Sequence, residues 1–183
     1  MLSRLLNLSL WVCLLPIGQA VAGTISVQYT LTPLGGNLYT YNYSIYNDGS
    51  LGSGVPVQLF DILFNPSLYQ EAGLQITTAA ALNTQWSQQF LFSVPPLSSA
   101  YDVLALSGGI PVGSTVSGFT VEFMWLGSGT PGAQSFFIYD PNTFALLDNG
   151  TTVNSQTPEP ATFLMLAVGL VYVGYKKRRR FSW

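Results

Sequence analysis

The sequence predicts an all-β protein built around a single β-sandwich of about nine short strands, arranged as a jelly roll or an immunoglobulin-like fold. Two segments, 38–46 and 117–126, alternate apolar and polar residues with the period of two that a half-buried strand requires. Turn sequences rich in Gly, Pro, Asn and Asp separate seven weaker strand candidates, at 24–31, 57–64, 74–78, 86–94, 101–106, 134–139 and 144–147. Short strands at this spacing favour a sandwich over a barrel. Helical turns are expected near 66–72 and 78–83.

The first 22 residues read as a secretory signal peptide. Arg4 supplies a positive charge, residues 5–17 supply an apolar core, and Ala20 and Ala22 fit the small-x-small pattern that signal peptidase cuts. The mature chain is therefore expected to begin near Gly23. An uncleaved N-terminal anchor is the alternative interpretation.

The predicted sandwich body, residues 23–150, is acidic and contains no cation. All six Lys and Arg residues lie outside it. Its seven acids give it a net charge of −7; they are Asp48, Asp61, Glu71, Asp102, Glu122, Asp140 and Asp148. Such a body has no positive side chain to place against phosphate, so nucleic acid is excluded as a partner. Because Cys13 lies in the predicted signal peptide, the body has no cysteine for a disulfide.

Missing residue types restrict the chemistry of this body more than any motif does. The chain has no histidine, and the body has no cysteine, lysine or arginine. A Ser-His-Asp triad, a Cys-His pair, a Ser-Lys dyad and a Schiff-base lysine are therefore excluded. A zinc site normally needs His or Cys as well. The sequence thus predicts a protein that is not an enzyme and has no catalytic residue, no cofactor and no metal. A glycosidase that uses only carboxylates remains the less favoured alternative.

Two other functions of the body have candidate residues: calcium binding and carbohydrate binding. Asp140-Pro141-Asn142 and Asp148-Asn149-Gly150 carry the oxygen ligands that Ca²⁺ prefers. Asp and Asn are also typical turn residues, and without an EF-hand loop the turn interpretation is favoured. Aromatic residues could instead form a carbohydrate-binding platform, with Trp86, Trp125 and the same-face row Tyr39, Tyr41 and Tyr43 as candidates. Core positions are the favoured interpretation for most of them.

Beyond a polar tether at 151–157, the C-terminal segment 158–183 has three consecutive parts. Pro158-Glu159-Pro160 is stiff and extended, because each proline fixes its own φ and restricts the residue before it. Residues 161–175 carry no charge and would form a helix of about 22 Å. Five cations follow: Lys176, Lys177, Arg178, Arg179 and Arg180. This helix is shorter than the ~30 Å hydrocarbon core, but interfacial tyrosines and the long basic side chains can make up the difference. By the positive-inside rule the cations hold this end in the cytoplasm.

These three parts, in this order, resemble the PEP-CTERM sorting signal of Gram-negative bacteria. The resemblance covers residues 157–183 only and includes Pro158, Glu159 and Pro160, the span 161–175 and the cluster 176–180. It implies recognition by an exosortase-type membrane protease near the Pro-Glu-Pro motif, after transient anchoring in the membrane. A plain transmembrane anchor with an accidental Pro-Glu-Pro is the alternative.

The resemblance also implies a location. The chain would be exported across the inner membrane, held transiently there, and then moved to the cell surface or an extracellular polysaccharide matrix. Its body would be structural or adhesive, with polysaccharide as a candidate partner. A carbohydrate-binding module is the alternative function, with the glycosidase behind it.

Overall fold

The computed structural model describes residues 25–94 and 96–155, which form two facing five-stranded sheets. The strands are β1 Ser26–Gly35, β2 Leu38–Tyr46, β3 Leu59–Phe64, β4 Gln75–Ile76, β5 Trp86–Leu91, β6 Ser99–Ala105, β7 Thr115–Met124, β8 Ser135–Tyr139, β9 Leu146–Thr151 and β10 Val153–Asn154. The first sheet has the order β10-β1-β2-β7-β4 and the second β5-β6-β3-β8-β9. All named strand pairs are antiparallel except β1 with β10, which are parallel. The predicted all-β sandwich is thereby confirmed.

Each of the nine predicted strands has a counterpart, and the two short helices fall where helical turns were expected. A 3₁₀ turn covers Glu71–Gly73, and α1 covers Ala80–Asn83. The difference lies after Gly150. The sequence predicts a polar tether over 151–157, whereas the structure places Thr151 in β9 and Val153–Asn154 in β10. Thr152, between the two strands, is only 2% exposed. This polar stretch is part of the sheet because β10 pairs with β1, and not because its residues are apolar.

Glycine shapes the first sheet at two places where a side chain would be strained. Gly35 and Gly36, with φ of +118° and +58°, turn the chain from β1 into β2. In β7, Gly118 has φ of +102° and sits where the register between β2 and β7 shifts, so it forms the extra residue of a bulge. The bulge lets the apolar alternation of β7 stay in phase with the core.

The core between the sheets is largely aromatic. From the first sheet Tyr41 and Phe123 stack with ring centroids 4.6 Å apart. From the second, Phe60 meets Phe119 edge to face at 5.2 Å and Phe64 meets Tyr69 at 4.9 Å. Such pairs add to the hydrophobic term by about 0.5–1.5 kcal/mol each. Residues 25–94 and 96–155 contain no cysteine, so this packing holds the fold without a disulfide.

Several polar groups inside the core belong to one connected network of hydrogen bonds. The hydroxyl of Tyr41 donates to the carbonyl of Gly132 at 2.7 Å and is 3.2 Å from the hydroxyl of Tyr69. Since Tyr41 has one proton, Tyr69 must donate to Tyr41 and accept from Gln134 Nε2, at 2.9 Å. Thr152 Oγ1 accepts from Gln134 N at 2.9 Å. Burial raises the pKa of both tyrosines, so their hydroxyls keep their protons.

The role of Thr152 can be tested with its neighbour as a matched control. Thr152→Val keeps the shape of the side chain but leaves the amide of Gln134 without its acceptor. We expect the free energy of unfolding of residues 23–157 to fall by about 1–3 kcal/mol. Thr151→Val changes an exposed strand residue and should stay within about 0.5 kcal/mol of the parent. Urea denaturation followed by circular dichroism measures both, and equal stability of the two variants would contradict the assignment.

Candidate interaction surface

The outer face of the second sheet is a regular surface built by alternating residues of β3, β6 and β8. Along β3, Phe60, Ile62 and Phe64 are buried in the core, so the alternating residues point outward. The same alternation in β6 and β8 completes a face made of Leu59, Asp61, Leu63, Asp102, Leu104, Phe137 and Tyr139. Most of these side chains are half-buried and apolar or aromatic. The face therefore combines apolar contact area with two acids at its centre.

These two acids are directly opposite each other. The register pairs Asp61 of β3 with Asp102 of β6, and Phe137 of β8 pairs with Asp61 on the other side. Gln89 Nε2 donates to Asp102 Oδ1 at 3.0 Å, whereas Asp61 Oδ1 is buried with no hydrogen-bond partner. Each acid lies in a predicted strand, but only the register reveals that they meet. The sequence carries no signal for that pairing.

Their environment favours a bound proton. Burial, followed by the negative charge of Asp102 and a hydrogen bond between the two carboxyl groups, raises the pKa of Asp61 to about 7. Like charges directly opposite on a sheet are destabilising, and a shared proton relieves the repulsion.

A cleft of about 360 Å³ opens where β3 ends and β8 begins. Ten residues line it: Leu63, Asn65, Leu68, Tyr69, Ser98, Trp125, Gly132, Ala133, Gln134 and Ser135. None of these side chains is charged. Trp125 Nε1 is buried and has no hydrogen-bond partner among residues 25–94 and 96–155. The cleft brings together loops from both sheets at one end of the sandwich.

The aromatic residues that were candidates for a carbohydrate platform are mostly core residues. Trp86 and Trp125 are 4% and 7% exposed, and Tyr41 and Tyr43 are fully buried. Tyr39 is half-buried and stacks on Phe123 at 5.9 Å. Neither indole ring offers an exposed face for a sugar to stack on. The preference for core positions is confirmed.

Of the two candidate calcium segments, Asp140-Pro141-Asn142 makes a turn, whereas Asp148-Asn149-Gly150, for which a turn was also expected, lies within β9. Asp140 Oδ1 accepts from the backbone N–H groups of Asn142 and Thr143, at 2.8 and 2.9 Å. These bonds, with that of Thr143 the larger effect, lower the pKa of Asp140. Asp148 accepts from Ile25 N at 2.9 Å and so ties the start of the described chain to β9. Within the described ranges no group of three or more His, Cys, Asp or Glu side chains could hold a metal ion.

The residues predicted for processing all lie outside the described ranges. They are the cleavage-site residues Ala20 and Ala22, the motif Pro158, Glu159 and Pro160, and the cluster Lys176, Lys177, Arg178, Arg179 and Arg180. The span 161–175 is outside them as well. In the part of the chain that the structure describes, no helix has the length and apolar character to cross a bilayer.

The sequence matches no protein-family model and no curated protein. Among solved structures, the second type II cohesin module of the scaffoldin ScaA from Acetivibrio cellulolyticus is similar, with 9% identity over 71% of this chain and 85% of that one, and a TM-score of 0.38. The Corynebacterium diphtheriae major pilin SpaA is similar with 11% identity, over 71% of this chain and 37% of that one, and a TM-score of 0.39. A chain of a type I cohesin-dockerin complex from Clostridium thermocellum is similar with 14% identity, over 72% of this chain and 99% of that one, and a TM-score of 0.34.

The pKa of Asp61 leads to a pH-dependent stability. Since the pKa in the folded protein lies above the unfolded value of about 4, the native state binds more protons than the unfolded chain between about pH 4 and about pH 7. Stability should therefore be lost as pH rises through about 7. Asp61→Asn removes the buried charge, so its melting temperature should fall less between about pH 5 and about pH 8 than that of the parent.

Glu122→Gln provides the control, because Glu122 lies in β7 on the other sheet and the substitution removes the same unit of charge. Its melting temperature should fall with pH as the parent's does. Thermal melts of residues 23–157 followed by circular dichroism measure all three proteins. If Asp61→Asn and Glu122→Gln give the same slope, general charge repulsion rather than the Asp61–Asp102 pair controls the pH dependence.

Proposed function

We propose that this chain is an exported surface protein, sorted through residues 157–183 by an exosortase-type system, whose sandwich body is a structural or adhesive module without catalytic activity. The signal peptide 1–22 brings the chain to the general secretory route and is removed after Ala22. The span 161–175 then holds the precursor in the inner membrane, with the cations 176–180 on the cytoplasmic side. Recognition at Pro158-Glu159-Pro160 releases the body toward the cell surface or an extracellular matrix.

The observation that carries this proposal is the three-part order of the C-terminal segment. An extended Pro-Glu-Pro, fifteen residues without a charge and five adjacent cations each have a separate physical purpose. The prolines keep the carboxylate of Glu159 in an extended segment that a protease can read. The apolar span inserts into the bilayer, and the cations resist its translocation.

The position of the last described residues is consistent with a folded body followed by a separate sorting segment. Ser155 N donates to the carbonyl of Tyr29 at 2.9 Å, so the last described residue is still fixed to β1. Pro158 is only three residues further along the chain. The hydrogen-bonded part of the body therefore extends to within three residues of the motif in the sequence.

An adhesive role would use the outer face of the second sheet. Leu63, Leu104 and Phe137 are half-buried and offer apolar area around the Asp61–Asp102 pair. The acids at the centre favour a partner that brings a cation or a hydrogen-bond donor, because the described residues contain no Lys, Arg or His.

The motif can be tested by separating its shape from its charge. Glu159→Gln keeps the extended backbone and removes the charge. Pro158→Ala combined with Pro160→Ala keeps the charge and frees the backbone, so that a membrane helix can extend through the segment. We expect both variants to accumulate as full-length, membrane-bound precursor, while the parent loses its tail and moves outward. Immunoblots of membrane and surface fractions follow a tag placed after Gly23, in a host with the matching exosortase. Equal tail loss in all three proteins would leave a plain membrane anchor.

The basic cluster should fix the orientation of the tail. Replacing the five residues from Lys176 to Arg180 with neutral ones removes the charges that resist translocation. A span of fifteen residues depends on such anchors more than a long helix does. We expect loss of stable membrane association and appearance of precursor in the periplasm, measured by fractionation. Undiminished membrane association would show that the cluster does not stop translocation.

A further inference from the structure

Both ends of the sandwich expose large apolar side chains, and the loop between β5 and β6 carries the most exposed of them, Val94. Phe92, Val94 and Leu97, between β5 and β6, are 59%, 80% and 66% exposed. Between Glu71 and Asp102 the sequence carries no charge at all. Large exposed apolar groups so close together are rare on monomeric proteins and usually mark an interaction site.

Loops from both sheets meet at the end of the sandwich that carries this loop. The loop after β5 emerges beside the end of β3, because Leu91 pairs with Ala100 and Phe64 with Ser99. The cleft lined by Leu68, Ser98 and Trp125 joins it to the loops of the first sheet. Six exposed residues define what we call the apolar end: Leu34, Leu68, Phe92, Val94, Leu97 and Leu126.

At the opposite, far end of the sandwich Phe144, Leu146 and Leu147 are exposed as well, but this end also carries acids. Asp48 and Asp140 follow β2 and β8 at the far end, where Tyr46 pairs with Thr115 and Tyr139 with Leu59. Near the apolar end Glu71 accepts a hydrogen bond from the hydroxyl of Ser99. The described residues contain no cation, so the apolar end has nothing to attract anionic headgroups.

The direction of the chain connects this end to the C-terminal segment. β1 runs from Ser26 toward the Gly35 turn, which belongs to the apolar end because Leu38 pairs with Met124 just before Trp125. β10 is parallel to β1, so the chain heads toward the same end at Ser155. The uncharged span 161–175 begins six residues later.

We propose that the apolar end lies against the lipid surface of the bilayer while the C-terminal segment is anchored in it. This inference rests on the proposed anchoring. Phe92, Val94 and Leu97 would enter the boundary between headgroups and acyl chains, as apolar side chains of interfacial proteins do. Attraction is hydrophobic, and the acids of the far end point away from the membrane. The body would thus stand upright on the membrane, with its outer sheet face accessible from the side.

Site-specific labelling tests this arrangement in the full chain. Cys13→Ser removes the single native cysteine, and Val94→Cys or Val112→Cys then carries an environment-sensitive fluorophore. Val112 is the matched control, because it is also an exposed valine in a loop but lies at the far end. The labelled proteins are reconstituted into phosphatidylcholine vesicles, with or without brominated acyl chains. We expect a blue-shifted emission and quenching by bromine at position 94, and neither effect at position 112.

A second variant tests the loop itself. Phe92→Ser with Leu97→Ser removes two exposed apolar side chains without touching the core, so the label at position 94 should lose most of its quenching. Flotation of the vesicles reports anchoring independently. Protein that floats while the label at position 94 remains unquenched overturns the membrane contact and leaves the anchor intact. Protein that does not float overturns both, and equal quenching at positions 94 and 112 overturns the upright orientation.

Discussion

The buried tyrosine hydroxyls are the constraint on which the rest of the sandwich depends. A tyrosine side chain fills a core well, but its hydroxyl must find a partner or cost about 1–3 kcal/mol. Tyr41 finds its partners in Tyr69 and in the carbonyl of Gly132, and Gln134 continues the chain of bonds to Thr152. Tyr41 lies in β2 of the first sheet, and the other groups lie in segments between strands, including the loops around the cleft. The network therefore fixes the loops and the C-terminal strand together with the core.

Sequence reasoning succeeded where one strand carries its own signal. The alternation of 38–46 predicted β2 with its observed bounds. β7 begins at Thr115, two residues before the predicted start, because the bulge at Gly118 interrupts the alternation there. β10 has two residues, Val153 and Asn154, and only its pairing with β1 makes it a strand. No local pattern can predict such an element.

Features that depend on several strands could not be predicted from the sequence, because no local pattern encodes how distant strands pair. The Asp61–Asp102 pair is a property of register, since a slip of one residue would turn either side chain to the other face. The cleft and the apolar end depend on which loops lie at one end of both sheets. By contrast, the proposed processing signals are linear and local, so the sequence alone can suggest them, and recognition of Pro158-Glu159-Pro160 would require no fold.

Closing the first sheet with the last strand has a consequence for timing. β1 is bonded on one side to β2 and on the other to β10, and Gln28 pairs with Val153 across almost the whole body. In a chain exported from its N-terminus, one edge of β1 stays unpaired until residue 155 has crossed the membrane. On the proposed export route, the sandwich would therefore be completed only as the C-terminal segment reaches the membrane. Because β10 is the last strand, folding of the body would then finish at about the time when the chain reaches the sorting step. A chain truncated before β10 would leave the edge of β1 unpaired and open to pairing with other chains.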